Sequence, residues 1–138
     1  MVLEHARAAV VVAFGMFAVL GAIETRAQAP DYAALLAAPN RSDADRQADK
    51  RRDPAPFLAF AGPHPGMKVL DMGAGGGYST ELLARAVTPG GMVYAQNPPD
   101  LPEKPKATFE ARLKTPAMRD VVPEIRSFDD LYPRRCTI

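Results

Sequence analysis

The chain has 138 residues, so it has room for one small domain at most. Hydrophobic residues make up 47% and charged residues 24% of the sequence, a balance typical of globular proteins that excludes disordered, collagen-like and coiled-coil chains. The formal net charge of +1 argues against nucleic acid as a partner, and the one cysteine, Cys136, excludes intrachain disulfides and cysteine-ligated zinc.

Residues 8–23, near the N-terminus, form an uncharged and mostly apolar segment. Residues 27–29 then supply the small-x-small pattern that signal peptidases cleave. We therefore predict a signal peptide over residues 1–29 and a bacterial protein that is periplasmic or secreted, with membrane contact only through this segment. An uncleaved inner-membrane anchor is the alternative, although the segment is shorter than the roughly 20 residues that span a bilayer. A buried core helix is a third alternative.

Residues 30–62 are predicted to form an N-terminal helical segment. Its helices are expected over residues 31–38, from a cap at Asn40 or Ser42 to residue 52, and over residues 54–60. The second helix alternates charge sign and has almost no apolar stripe, so we favour a solvated helix over a binding surface. The third is expected to bury Phe57, Leu58 and Phe60.

Residues 63–133 have the pattern of an α/β unit. Residues 67–72 are predicted to form a strand with two apolar faces, as in the centre of a parallel sheet, followed by a helix over 79–87 and a strand over 92–95. This order makes a βαβ unit with a right-handed crossover. A helix over residues 106–114 and a weak strand over 121–128, interrupted by Pro123, complete the unit.

The loop after the first predicted strand carries an acid and then alternating glycines, Asp71, Gly73, Gly75 and Gly77. Ligands of open parallel sheets bind at the carboxyl ends of the strands, where glycine permits positive φ and close approach. The next helix begins with free N–H groups that suit a carboxylate or phosphate. Tyr78 replaces the third glycine of the dinucleotide fingerprint and no Lys-Ser/Thr pair follows, so NAD, FAD and nucleoside triphosphates fit poorly.

An acid two residues before G-x-G-x-G resembles motif I of the class I S-adenosylmethionine-dependent methyltransferases. The similarity covers residues 41–130 and extends to a bacterial family of predicted exported methyltransferases. It implies a Rossmann-like α/β fold of seven strands, of which this chain would hold the first three after a helical lead-in, with residues 134–138 unmatched. It also implies S-adenosylmethionine as cofactor.

The resemblance assigns residues to parts of the cofactor, with the glycine loop against its methionine half. An acidic residue usually ends the second strand and holds the ribose hydroxyls, and an amide pair takes its place here. An acid after the third strand is the candidate partner of the adenine amino group, with a solvated loop acid as the alternative. The implied cofactor-binding residues are Asp71, Gly73, Ala74, Gly75, Gly77, Gln96, Asn97 and Asp129.

Three functions are compatible with these patterns. The first is a methyltransferase by descent, expected to be truncated and inactive because the chain stops where a fourth strand would pair with the third. The second is a non-catalytic fragment that binds the cofactor or a partner, and the third, more distant, is an NAD- or FAD-binding oxidoreductase fragment. No catalytic residue is assigned: neither His64 nor Cys136 has a partner that indicates acid–base or nucleophilic chemistry, and no metal site is predicted.

Overall fold

The computed structural model describes residues 30–130. The predicted signal segment, residues 1–29, and the C-terminal residues 131–138 with Cys136 lie outside the described residues. Between residues 30 and 130, no helix is both long and apolar enough to cross a membrane. The same part of the chain contains no group of three or more His, Cys, Asp or Glu side chains arranged to hold a metal ion.

The described residues form five α-helices, one short 3-10 helix and three strands. In chain order these are α1 Tyr32–Leu36, α2 Asp43–Arg52, α3 Pro54–Ala61, β1 Lys68–Met72, α4 Tyr78–Val87, β2 Met92–Asn97, α5 Glu103–Leu113, the 3-10 helix Pro116–Met118 and β3 Val121–Ile125. Every element predicted between residues 30 and 130 is present, but several bounds differ by two or three residues. Helix α1 already ends at Leu36 and β3 at Ile125, whereas α5 begins earlier, at Glu103, and β2 runs on to Asn97. Ser42, one of the two predicted caps, accepts a hydrogen bond from the backbone of Asp45 at 3.1 Å.

The three strands form a parallel sheet in the order β1-β2-β3. Val69, Val93 and Val121 lie side by side across it. This parallel sheet with its helices confirms the predicted α/β class. The doubly wound order of this fold class continues from β1, because its strands run 3-2-1-4 across the sheet. We therefore correct the expectation that a fourth strand would pair with β3.

One face of the sheet carries the core, which corrects two predictions. Val93 and Ala95 are fully buried on this face, where they pack against residues of α4 and α5. The predicted burial of both faces of β1 is wrong for the described residues, because Leu70 is 49% and Met72 50% exposed on the other face. The same holds for α3, of whose three large apolar residues only Leu58 is buried.

Helix α2 also differs from its prediction, since one face of this highly charged helix is buried. Asp45 and the preceding Arg41 are each only 5% exposed. Each is paired with a charge of opposite sign, Arg41 with Asp49 and Asp45 with Arg112. Paired charges can be buried without an apolar stripe, which is why hydrophobic periodicity did not reveal this face.

Arg112 of α5 is the ion-pair centre that joins three helices. Its guanidinium donates two hydrogen bonds to Asp45 of α2, both at 2.8 Å, and a further bond to Glu81 of α4. Its Nε donates to the backbone oxygen of Gly76 at 3.2 Å. Burial acts to raise the pKa of Asp45, but the hydrogen bonds from Arg112 and Ser42 outweigh it and hold that pKa below its usual value.

We predict that Arg112→Met lowers the free energy of unfolding by about 3–5 kcal/mol at pH 7, because it leaves the buried carboxylate of Asp45 without its partner. The matched control is Arg119→Met, which removes an exposed pair with Asp120 and should change stability by less than about 1 kcal/mol. Urea denaturation of both variants measures the difference.

The loss in Arg112→Met should shrink as the pH falls and be smallest below about pH 4, near the ordinary pKa of an aspartate, because the unpaired Asp45 carboxylate of the variant is protonated first. The depressed pKa of Asp45 contributes stability above that pH, and the contribution disappears as the carboxylate is protonated in both proteins. Equal stability of Arg112→Met and Arg119→Met at pH 7 would contradict this role for Arg112.

Candidate functional site

The glycine loop, residues 73–77, connects β1 to α4 and contains three left-handed residues. Gly73, Gly75 and Gly77 have φ values of 71°, 56° and 82°, so the alternating glycines predicted from the sequence fit alternating turns of the backbone. A Cβ on Gly77 would lie 2.9 Å from the ring of Phe109, whereas a Cβ on Gly75 would meet only the oxygen of Gly73, at 3.9 Å. Gly77 therefore serves packing, and Gly75 faces space that a ligand can enter.

Asp71 lies at the carboxyl end of β1 and fixes the start of α4. Its carboxylate accepts hydrogen bonds from the hydroxyls of Ser79 at 3.0 Å and Thr80 at 2.6 Å. Gly77, the N-cap residue of α4, provides no side-chain hydrogen bond to the first turn. The helix therefore begins with backbone donors that no N-cap side chain covers, beside the open side of the loop.

Gln96 and Asn97 end β2, and their side chains bond to the glycine loop. They are 3% and 1% exposed. The Gln96 side-chain oxygen accepts from the N–H of Gly73 at 3.0 Å, and Asn97 Oδ1 accepts from the N–H of Gly75 at 2.7 Å. Asn97 Nδ2 donates back to the Gly75 oxygen at 3.2 Å. Their contact with ribose stays a prediction, and these bonds compete with it.

The segment after β3 reaches the same loop. Gln96 Nε2 donates to the backbone oxygen of Arg126 at 2.5 Å. A Cβ on Gly73 would lie 3.6 Å from the ring of Phe128, so this aromatic side chain lies against the loop. Sequence reasoning did not assign Phe128, although it stands beside the predicted Asp129. Asp129 is exposed in the turn that follows, and its contact with adenine stays a prediction.

Helix α2 is anchored to the first residue of α4. Tyr78 donates from its hydroxyl to Asp49 at 2.6 Å, and Arg41 forms two hydrogen bonds to the same carboxylate, at 2.6 and 2.8 Å. The guanidinium of Arg52 lies 4.9 Å from the centre of the Tyr78 ring. Sequence reasoning did not assign the contact between Asp49 and Tyr78, because it joins residues 29 positions apart in the chain.

The charges around Tyr78 set its protonation. Burial, together with the hydrogen bond to the Asp49 carboxylate, raises the pKa of Tyr78 to about 12. The hydrogen bonds from Arg41 lower the pKa of Asp49. At neutral pH Tyr78 is therefore a neutral donor that holds α2 beside the glycine loop, and it is not a base.

A cleft of about 340 Å³ opens at the carboxyl ends of β2 and β3, next to Asn97. Most of its walls are apolar, and they come from α5, the segment before it and β3. The lining includes Pro98, Leu101, Phe109, Leu113 and Ile125. The cleft and the glycine loop thus lie at the same end of the sheet, where ligands of such sheets bind.

Comparison with known proteins identifies relatives of this site. Residues 45–121, more than half of the chain, match the family model Protein-L-isoaspartate(D-aspartate) O-methyltransferase. A protein-L-isoaspartate O-methyltransferase of Aeropyrum pernix is 52% identical over 55 residues, which are 39% of this chain and 21% of that protein. The chain thus spans about a fifth of the length of that relative.

A solved structure is also similar to the chain. The crystal structure of a SAM-dependent methyltransferase from Aquifex aeolicus matches with a TM-score of 0.47 and 26% sequence identity. The match covers 67% of this chain and 51% of that one.

The extent of the family match confirms the resemblance predicted from the acid and the alternating glycines, that of a class I S-adenosylmethionine-dependent methyltransferase. It also confirms S-adenosylmethionine as the cofactor that the family implies. That the predicted relatives are exported stays a prediction. With more than half of its residues matched to one family, the chain belongs to the protein-L-isoaspartate(D-aspartate) O-methyltransferase family.

Proposed function

We propose that this chain carries the cofactor-binding part of an S-adenosylmethionine-dependent O-methyltransferase. The observation that carries the proposal is the glycine loop, in which Gly75 leaves open space on the ligand side. The uncapped first turn of α4 lies at the end of that loop. Family membership indicates which cofactor such a loop binds. The open space at Gly75 and the free backbone donors at the start of α4 are features that would accommodate it.

The glycine loop and α4 would hold the methionine half of the cofactor. The backbone N–H groups at the start of α4 suit its carboxylate, and the missing side chain at Gly75 lets the ligand lie against the backbone. Phe128, Asp129 and the apolar cleft beside Asn97 stand at the same end of the sheet, where the adenosine half would bind. Asp71 would act indirectly, by fixing the first turn of α4.

The acceptor we propose is a carboxylate, because the matched family and the Aeropyrum protein are both named for O-methylation of L-isoaspartate. The bound cofactor would supply a methyl group on a sulfonium sulfur, which is already a good leaving group. A carboxylate oxygen would bond to the methyl carbon as the carbon–sulfur bond breaks, which would give a methyl ester and S-adenosylhomocysteine. Carboxylates are ionised at neutral pH, so this transfer needs no general base and depends on positioning.

The described residues build one side of the crevice in which this transfer would occur. In doubly wound sheets the ligand lies at the point where the strand order reverses, beside the first strand. Among the described strands β1 lies at the edge of the sheet, and Leu70 and Met72 are about half exposed on its open face. Because only one side of the crevice is described, cofactor binding and methyl transfer need separate measurements. That this chain does not turn over substrate stays a prediction.

We predict that the chain binds S-adenosylhomocysteine and not NAD, and that Gly75→Val weakens this binding at least tenfold because its side chain enters the ligand space. Gly62→Val is the matched control. Gly62 also has a left-handed backbone, φ 60° against 56° for Gly75, and it too has no side chain near its Cβ position. Both variants incur the same kind of backbone strain, but only Gly75 lies at the site.

Calorimetry with both ligands, alongside thermal unfolding, decides this prediction. Similar losses of stability in the two variants, with loss of binding only in Gly75→Val, would support the assignment. Unchanged affinity in Gly75→Val, or tighter binding of NAD than of S-adenosylhomocysteine, would overturn it.

We further propose that the protein is exported across the inner membrane of a bacterium and cleaved after Ala29. The support is the uncharged segment 8–23 followed by the small residues Ala27 and Ala29. N-terminal sequencing of material from the periplasm and the medium should find Pro30 as the first residue. Full-length protein confined to the cytosol would refute export, and full-length protein in the inner membrane would favour the anchor.

A further inference from the structure

Asn97 makes an unusual pair of contacts with one residue of the glycine loop. Its side chain, 1% exposed, accepts a hydrogen bond from the N–H of Gly75 at 2.7 Å and donates one to the oxygen of the same residue at 3.2 Å. Both functions of the amide are thereby used. Two bonds to the donor and acceptor of a single residue fix the peptide groups on both sides of it.

From this geometry we propose that Asn97 is a positioning residue, which holds the glycine loop in its cofactor-binding shape and does not contact the ribose. The inference rests on the proposed function and replaces the ribose contact predicted for this residue. Gly75 has a φ of 56° and no side chain to anchor it, so its conformation depends on partners elsewhere. Asn97 supplies one on each side of the residue.

The two bonds need a side chain that both accepts and donates, as the neutral amide of Asn97 does. An ionised carboxylate at position 97 could accept from the N–H of Gly75, but it has no hydrogen to donate to the Gly75 oxygen. It would instead place a buried negative oxygen against that carbonyl, which is costly. A side chain that binds the ribose hydroxyls has the opposite requirement, because a carboxylate accepts hydrogen bonds from hydroxyls more strongly than an amide does. The two roles therefore predict opposite effects of one substitution.

Gln96 fits the same interpretation on the neighbouring turn. Its side-chain oxygen accepts from Gly73 and its nitrogen donates to Arg126, so it links the loop to the segment after β3. The backbone oxygen of Gln96 accepts from both Gly73 and Ala74, each at 3.0 Å. Gln96 thus secures the first turn of the loop, and Asn97 secures the turn at which the ligand would enter.

The experiment compares Asn97→Asp with the unaltered chain in calorimetric titrations with S-adenosylhomocysteine. The positioning role predicts affinity about 3- to 10-fold weaker at pH 8, from the lost hydrogen bond. It also predicts recovery as the pH falls toward 5, since a buried carboxyl has a raised pKa and, once protonated, can donate to the Gly75 oxygen. The control is Gln47→Glu, the same chemical change at an exposed position on α2, with unchanged affinity expected.

Affinity of Asn97→Asp that equals or exceeds that of the unaltered chain at pH 8 would overturn the positioning role and restore the ribose contact. Weaker binding at pH 5 than at pH 8 would overturn it as well. A carboxylate at position 97 that binds the ribose hydroxyls would lose its charge on protonation and bind them less strongly.

A second measurement needs no cofactor and remains available if Asn97→Asp does not fold. In the unaltered chain, the amide hydrogen of Gly75 should exchange with solvent slowly, and in Asn97→Ala at least tenfold faster, with Gly62 unchanged as reference. Rapid exchange at Gly75 in the unaltered chain would refute the bond from its N–H to Asn97 Oδ1, and with it the positioning role. A chain that protects Gly75 but does not bind S-adenosylhomocysteine would overturn the proposed function and leave the hold on the loop intact.

Discussion

Hydrogen bonding between the glycine loop and the end of β2 is the constraint on which this structure depends. Residues 73–77 make three left-handed turns that glycine permits but does not select. The buried side chains of Gln96 and Asn97 select them, because both must find partners. The loop backbone provides those partners, except that Gln96 Nε2 donates to Arg126. No buried side-chain nitrogen or oxygen within residues 30–130 lacks a hydrogen bond. The shape of the loop and the burial of the two amides therefore depend on each other, because the same hydrogen bonds satisfy both.

A second set of contacts, made by charged side chains, connects the glycine loop and the helices beside it to the N-terminal helix α2. Arg112 joins the carboxylates of Asp45 and Glu81 to the backbone of Gly76, and Asp49 joins Arg41 to Tyr78. The charged helix α2 is thus attached by Asp49 to Tyr78, the first residue of α4, and by Asp45 to Arg112 of α5. Such pairs are costly to break one partner at a time, which ties the position of α2 to the integrity of the loop.

Local patterns in the sequence were enough to predict the elements and the loop, but not the partners of the side chains. The order of apolar segments, turns and the glycine loop predicted the βαβ unit. The acid and glycines from Asp71 to Gly77 predicted its ligand end, because glycine permits positive φ and close approach there. The roles of Arg112 and Asn97 depend on contacts between residues far apart in the chain, and periodicity carries no signal for those. The exposed face of β1 was missed because Leu70 and Met72 give the strand the two apolar faces of a central strand, yet among the described residues their face is about half exposed.

The most direct measurement is a two-dimensional NMR titration of the full chain, labelled with nitrogen-15 on its ten glycines. The account predicts that S-adenosylhomocysteine shifts the amide signals of Gly73, Gly75 and Gly77 in a saturable way. Gly66 and Gly90, which lie at the opposite ends of the strands, should not move, and NAD should shift none of these signals. Loop glycines that stay unmoved at saturating S-adenosylhomocysteine, or that respond equally to NAD, would contradict the claim that this loop is the cofactor site.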